Sequence, residues 1–141
     1  MGVGQSPLAR VVTPRASFWA NRQVLVTGHT GFKGAWLSLW LTEMGARVHG
    51  YSLDPVDGPT VFDATGVADL LDSDTRSDLR DRSTVRETVD AVGPEIVLHL
   101  AAQPLVSVGY QLPSETWATN VMGSVHILEA VRQQPSVRAV V

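Results

Sequence analysis

Short apolar runs alternate with longer segments of helical spacing along this chain of 141 residues. The apolar runs predict β-strands at residues 23–27, 47–51, 95–101 and 137–141, with a shorter strand near 75–78. The run at 95–101 is nearly continuous and holds the single histidine His99, which is typical of a central parallel strand covered on both faces.

Segments whose apolar residues recur at helical spacing lie between these runs. They predict helices at residues 33–44, 84–92 and 114–134, the last with one apolar side formed by Trp117, Val121, Val125, Leu128 and Val131. Thr84 and Glu87 have the spacing of a capping box, and Gly93 stands where a helix-ending glycine is favoured. Residues 54–66 are predicted to form a loop with one helical turn near 61–64.

The alternation of strands and helices predicts an α/β fold, a Rossmann-type doubly wound parallel sheet with central strand order 3-2-1-4-5. We expect residues 1–17, which carry two prolines and two arginines but no apolar stretch, to be a flexible N-terminal tail. Residues 18–141 are then expected to be a partial Rossmann domain. Because the last apolar run has nothing after it to cover it, we expect a truncation in or after the fifth strand.

Composition and charge narrow the classes of partner. The formal net charge is −3, and acidic residues alternate with arginines at 74–87, which gives no reason to expect nucleic acid or a membrane as partner. The absence of cysteine excludes disulfides and thiolate sites, and the four histidines lack metal-ligand spacing, so no metal site is predicted. Without a membrane-length apolar run or a secretory signal, the expected location is the cytoplasm.

The strongest chemical signal is a glycine-rich segment directly after the first predicted strand. Gly28, Gly31 and Gly34 follow the spacing Gly-x-x-Gly-x-x-Gly and lead into the helix predicted at 33–44. A strand, a glycine turn and a helix together offer backbone N–H groups and a helix N-terminus to a pyrophosphate. The first glycine permits the turn, the second lets phosphates approach, and the third lets the helix lie close to the sheet. The pattern predicts dinucleotide binding; the alternative is a tight turn without a ligand.

Three stretches of the sequence together resemble the extended short-chain dehydrogenase/reductase family. They are the glycine segment at 27–34, His-Leu-Ala-Ala-Gln-Pro at 99–104 and Thr-Asn-Val-Met-Gly at 119–123. Within that family the sequence is most similar to the nucleotide-sugar 4,6-dehydratases that act on CDP-glucose, and homologous epimerases share much of the pattern. The resemblance runs from about residue 18 to residue 141.

The resemblance implies that the chain binds NAD and assigns residues to it. Those implied to wrap the pyrophosphate are Thr27, Gly28, Gly31, Phe32 and Gly34. Those implied to line the adenine and the two riboses are Asp78, Leu79, Leu100, Ala101, Ala102 and Gln103. Asn120 matches the helix asparagine that supports the catalytic centre in the family. The alternatives are a solvated Asp78, alanines kept small for close packing and a surface Asn120, while Gly123 is interpreted as a helix-contact glycine.

Two positions depart from the family pattern. Ser107 stands where an arginine is usual, which weakens any prediction of sugar-nucleotide contacts from this loop. Ser52 stands where an acidic residue commonly binds the adenine ribose, so we predict that Asp54, or alternatively the Ser52 hydroxyl, takes this role. Because no Arg or Lys follows the second strand to meet a 2′-phosphate, NAD is predicted over NADP.

The resemblance further implies hydride transfer from sugar C4 to NAD, loss of water across C5–C6 and return of the hydride to C6. In the family a tyrosine acts as the base, with a lysine four residues later. Here Tyr51 and Tyr110 are followed at that spacing by Pro55 and Ser114, and Lys33 is the only lysine. No catalytic residue is therefore predicted in this polypeptide.

These features together predict the N-terminal NAD-binding portion of a nucleotide-sugar 4,6-dehydratase, inactive by itself. A portion of a nucleotide-sugar 4-epimerase and a non-catalytic nucleotide-binding module are the alternatives. The expected partners are a nucleotide-sugar substrate in the full-length enzyme and a second copy of the chain, paired as a homodimer through the helix at 114–134.

Overall fold

Five parallel strands form one sheet in the order β3-β2-β1-β4-β5 in the computed structural model, which describes residues 16–141. The strands are β1 Gln23–Thr27, β2 Arg47–Ser52, β3 Ser73–Arg76, β4 Ile96–His99 and β5 Ala139–Val140. This arrangement confirms the predicted doubly wound α/β fold and the predicted strand order.

Seven α-helices flank the sheet within the described residues. They are α1 Ala16–Trp19, α2 Phe32–Glu43, α3 Val61–Thr65, α4 Arg82–Val92, α5 Val106–Gln111, α6 Pro113–Trp117 and α7 Gly123–Arg132. A 3₁₀ turn at Val67–Leu70 follows α3. Of the predicted N-terminal tail, residues 1–15 lie outside the described residues, and residues 16 and 17 begin α1. Within residues 16–141, none of the helices has both the length and the apolar character that a membrane span needs.

The sheet is covered on both faces because successive side chains of a strand point to opposite sides. One face carries Leu25, Tyr51 and Val97, which pack with buried side chains of α4 and α7. The other carries Val24, Val26, Val48 and Ile96, which pack with Leu41 of α2 and with Ala46. Two separate apolar clusters therefore enclose β1 and fix the position of its carboxyl end.

Helix α4 begins earlier than the predicted capping box at Thr84. Its N-cap is Asp81, whose carboxylate accepts hydrogen bonds from the backbone N–H groups of Ser83 and Thr84 at 3.1 Å each. The Ser83 and Thr84 hydroxyls also donate to this carboxylate and, with these N–H bonds, lower the pKa of Asp81 to about 2. The capping-box prediction was wrong because an aspartate three residues upstream supplies a better acceptor for the free N–H groups.

The helix predicted at 114–134 is divided in the structure. α6 continues through a π-helical turn at Ala118–Met122 into α7, which ends at Arg132. α5, which precedes this helical segment, was not predicted from the sequence. Much of the predicted apolar side is uncovered, since Trp117, Val121, Val125 and Leu128 are exposed.

Other strand boundaries also differ from the sequence prediction. β2 extends one residue further, to Ser52, and β5 covers only Ala139–Val140 of the predicted 137–141. β3 begins two residues earlier than expected because its ladder with β2 starts at the pair His49 and Ser73 and ends at Ser52 and Arg76. β4 ends at His99 rather than at residue 101. There the Thr27 hydroxyl accepts the N–H groups of Leu100 and Ala101 at 3.1 and 3.2 Å. The Leu100 N–H also donates to the Thr27 backbone carbonyl at 3.2 Å, so only Ala101 depends on the side chain alone.

Candidate functional site

The glycine segment lies at the carboxyl edge of β1, where β2 and β4 flank it in the sheet. Gly28 has a φ of +75°, and a Cβ built there would lie 2.8 Å from the Ala101 backbone nitrogen. Gly34 is buried in the first turn of α2, and a Cβ there would lie 2.7 Å from both the Gly28 carbonyl carbon and the His29 Cα. These two glycines allow the loop, the helix and the residues after β4 to pack backbone to backbone.

Gly31 has a different environment from the other two glycines. It is exposed and has extended backbone angles, with φ −76° and ψ 166°, and a Cβ there would meet only the Gly28 carbonyl oxygen, at 3.3 Å. As the N-cap of α2 it makes no side-chain cap hydrogen bond. The first-turn N–H groups of α2 are therefore available, and this end of the helix dipole favours an anion.

Side chains from the loop connect it to two neighbouring strands. The Thr30 hydroxyl lies 2.8 Å from the Ser52 hydroxyl and donates to the Leu53 carbonyl at 3.1 Å. His29 hydrogen-bonds through Nε2 to the Asp74 carboxylate at 2.9 Å. Sequence analysis did not identify these anchors, because a loop-to-strand hydrogen bond across 45 residues leaves no local pattern.

Thr27 is fully buried at the end of β1. Its hydroxyl lies 2.7 Å from His99 Nδ1 and accepts the N–H groups of Leu100 and Ala101. His99 Nε2 lies 2.9 Å from the hydroxyl of Ser124 on α7, and burial lowers the pKa of His99. The structure thus places the Thr27 side chain inside the fold, where it holds the ends of β1 and β4 together.

The predicted residues after β4 lie beside the glycine loop. Asn120 accepts the Gln103 N–H at 2.7 Å and donates to the Gln103 carbonyl at 3.0 Å. The Gln103 side chain donates to the Thr116 hydroxyl at 3.0 Å. Asn120 stands in the π-helical turn, and such turns are frequent at functional sites. Both bonds of the Asn120 amide therefore position the backbone of this loop, which includes the exposed Ala102.

Asp78 and Leu79 follow β3 and have different surroundings. The Asp78 carboxylate accepts hydrogen bonds from the side chain and backbone N–H of Arg80, which lower its pKa. The Leu79 side chain is buried in the cluster under α7 rather than at the open edge. A Cβ on Gly123 would lie 2.8 Å from Leu79 Cβ, which confirms Gly123 as a helix-contact glycine.

The end of β2 contains the two residues predicted to meet the adenine ribose. Ser52 is buried and its hydroxyl is engaged by Thr30, whereas the Asp54 side chain is 86% exposed. Arg76, the ladder partner of Ser52, places its Nη1 4.0 Å from Asp54 and its Nη2 2.5 Å from Asp74. No basic residue directly follows β2, but the neighbouring strand brings one to this edge, which sequence analysis missed because the ladder register was unknown.

Neither tyrosine has the surroundings of a catalytic base. Tyr51 is buried and donates its hydroxyl to the Asp78 carbonyl at 2.8 Å, and burial raises its pKa. Tyr110 is exposed on α5, and Lys33 is exposed in the first turn of α2. The arrangement can bind an anionic ligand at the loop, but it places no tyrosine–lysine pair there.

Two relatives with described activities are similar over most of the chain. CDP-glucose 4,6-dehydratase of Salmonella typhimurium is 53% identical over 125 residues, which cover 89% of this chain and 34% of that protein. GDP-mannose 4,6 dehydratase 1 of Arabidopsis thaliana is 35% identical over 114 residues, covering 77% and 32%. The chain therefore spans about a third of the length of these relatives.

A solved structure and a family profile agree with these similarities. The UDP-glucose 4-epimerase of Thermus thermophilus in complex with NAD superimposes with a TM-score of 0.69 at 31% identity, covering 82% of this chain and 35% of that one. The profile of the GDP-mannose 4,6 dehydratase family matches residues 25–140, which include most of β1 and all of β2 to β5. The chain therefore belongs to the GDP-mannose 4,6 dehydratase family.

Proposed function

We propose that this chain is the NAD-binding portion of a nucleotide-sugar 4,6-dehydratase whose complete enzyme acts on CDP-glucose. The observation that carries the proposal is the exposed, uncapped N-terminus of α2 at Gly31, framed by two glycines that admit no Cβ. Identity of 53% to a CDP-glucose 4,6-dehydratase supports the substrate, and the NAD complex of the epimerase supports the cofactor.

The residues of the loop fit the chemistry of a pyrophosphate. Backbone N–H groups at Phe32 and Gly34 would hold its oxygens, because they lie at the positive end of the α2 dipole. Gly31, whose own N–H donates to the Gly28 carbonyl at 3.1 Å, would leave the space for their approach. Gly28 would keep the loop tight against Ala101. When bound, NAD supplies a hydride acceptor and donor for the sugar.

The remaining predicted contacts belong to the same proposal. The residues after β4, Leu100 to Gln103, lie beside the glycine loop at the carboxyl edge of the sheet. Asn120 holds the Gln103 backbone in place. Asp78 and Asp54 have exposed carboxylate surface at that edge. The buried side chains of Thr27 and Leu79 would act by supporting the site from within.

The test of the proposal uses binding and a domain exchange. Residues 1–141 should bind NAD in a calorimetric titration yet form no 4-keto-6-deoxy product from CDP-glucose, because the chain has no Tyr-x-x-x-Lys pair. A chimera in which residues 18–141 replace the matching segment of the S. typhimurium dehydratase should form that product. The same exchange into the T. thermophilus epimerase is the matched control.

Three outcomes would contradict the proposal in different ways. Absence of NAD binding by a folded chain would remove the cofactor assignment. Product formation by residues 1–141 alone would contradict the assignment of catalysis to other residues. Activity of the epimerase chimera together with an inactive, folded dehydratase chimera would favour the epimerase alternative.

We further predict that NAD binds more tightly than NADP. Arg76 is already paired with Asp74 and lies 4.0 Å from Asp54, so two carboxylates surround its guanidinium. A 2′-phosphate would be left poorly paired, which typically costs about 1–3 kcal/mol and corresponds to roughly 5- to 150-fold in affinity. Calorimetry with NAD and NADP measures the ratio, and ADP-ribose with its 2′-phosphate is the nicotinamide-free control. Tighter binding of NADP, or of the 2′-phosphorylated ADP-ribose, than of NAD would contradict the prediction.

A homodimer through the α6–α7 face is proposed for the complete enzyme. Exposed Trp117, Val121, Val125 and Leu128 follow one another at helical spacing along this face. Apolar side chains in such a row favour burial against a partner. A cytoplasmic location stays a prediction from the sequence.

A further inference from the structure

His29 is fully buried although it belongs to the loop proposed to bind phosphate. Its ring lies over β2 at Gly50, where a Cβ would come within 2.6 Å of three ring atoms. The ring also packs against Phe62 of α3, with centroids 5.5 Å apart and planes at 71°. The glycine at position 50 therefore leaves the space that the imidazole occupies.

A single hydrogen bond connects this ring to the edge strand of the sheet. His29 Nε2–H donates to one oxygen of Asp74 on β3 at 2.9 Å, and the other oxygen accepts from Arg76 at 2.5 Å. His29 Nδ1 is buried and has no hydrogen-bond partner among the described residues. Because Nε2 is the donor, the neutral form carries its proton there and Nδ1 is the free position.

Protonation of Nδ1 would disturb the backbone of the glycine loop. The charged groups that face His29 are Asp74 and Arg76 of β3, while β2 presents Gly50 and the Tyr51 carbonyl and α3 presents Phe62. A proton on Nδ1 would be a buried N–H without an acceptor, because Nδ1 has no hydrogen-bond partner among the described residues. The charged ring must therefore shift. Gly28 precedes His29 directly in the chain and is held to β2 by its N–H bond to the Tyr51 carbonyl at 2.8 Å, so a shift of the ring displaces the first glycine of the loop.

We propose that His29 is a positioning residue for the glycine loop, which binds a dinucleotide fully only while His29 is neutral and donates to Asp74. The ligand in this statement rests on the proposed function, whereas the coupling of His29 to the loop does not. His29 touches no ligand, because its side chain is enclosed by β2, β3 and α3. It acts through the position of Gly28.

The direction of the pH dependence follows from the burial of the ring. Burial lowers the pKa of His29 below 6.5, although Asp74 acts in the opposite direction, so His29 is neutral at pH 7. As the pH falls through that lowered pKa, the proton enters and the affinity for NAD decreases. One proton taken up in this way reduces affinity by up to about tenfold per pH unit.

The experiment compares three variants by NAD calorimetry between about pH 5 and pH 8, where an imidazole titrates. His29→Gln keeps a donor for Asp74 without a titrating group, and its NAD affinity should not change across this pH range. His29→Phe fills the space without a hydrogen bond, and its affinity for NAD should be about tenfold lower than that of the parent at pH 7.

His49→Gln is the matched control. His49 is also a buried histidine of lowered pKa, but it is bonded to Ser73 and Gln23, and its variant should keep the parent profile.

A second measurement separates this inference from the proposed function. In the ligand-free chain, the amide signals of Gly28 and Gly31 should titrate with the same midpoint as the His29 imidazole, and they should not titrate in His29→Gln. If the parent fails to bind NAD but these amides follow His29, the proposed function fails and the coupling stands. The inference would be overturned if the amide signals of Gly28 and Gly31 do not titrate with His29. It would also be overturned if His29→Gln keeps the parent's pH profile.

Discussion

A chain with valine at position 31 will bind NAD at least about 100-fold more weakly than the parent, which corresponds to about 2.7 kcal/mol of binding free energy. Gly31 is exposed at the uncapped N-terminus of α2, and its side of the backbone is open apart from the Gly28 carbonyl oxygen. A branched side chain there would occupy the space through which phosphate oxygens must approach the N–H groups. Charge-assisted hydrogen bonds of this kind contribute about 1.5–3 kcal/mol each, so the loss of more than one of them is enough to produce this decrease in affinity.

The fold of this variant should change little. Gly31 has φ −76° and ψ 166°, a conformation that valine adopts readily, and its Cβ would lie 3.3 Å from the Gly28 oxygen, which requires a shift of a few tenths of an ångström. Calorimetry measures the affinity, and urea unfolding measures stability. Gly31→Ala is the graded control and should fall between the parent and the valine variant. Equal NAD affinity in parent and valine variant would remove the phosphate-loop assignment.

The fold was predictable because its signals are local and repeated. Apolar runs of strand length separated by helical spacing determine a parallel sheet, and right-handed crossovers leave few strand orders. Boundaries were less predictable, since several side chains compete to cap one helix. Asp81 rather than Thr84 caps α4, and nothing in the local pattern decides between two oxygen-bearing residues three positions apart.

The candidate site was predictable only where it consists of backbone. Gly28, Gly31 and Gly34 stand out because a positive φ or the absence of a Cβ is visible as a residue type. The side chains that brace them are not visible in this way. His29, Asp74 and Arg76 come together only when β3 takes its register beside β2, and a register shift of one residue would turn Asp74 to the other face.

Gly34→Ala, the last prediction, should lower the free energy of unfolding by about 3 kcal/mol or more, at the upper end of what overpacking usually costs. The added Cβ would lie 2.7 Å from the Gly28 carbonyl carbon and from the His29 Cα, and closer still to the Gly28 oxygen. These neighbours are backbone atoms, so no side-chain rotation relieves the overlap and α2 must move away from the loop. Alanine gains about 1 kcal/mol over glycine in helix propensity, which this overlap outweighs. Urea unfolding measures the change, with Gly31→Ala three residues earlier as the control that should stay close to the parent. A Gly34→Ala chain as stable as the parent would show that the loop and helix are not packed backbone to backbone, and the role of the third glycine would have to be reassigned.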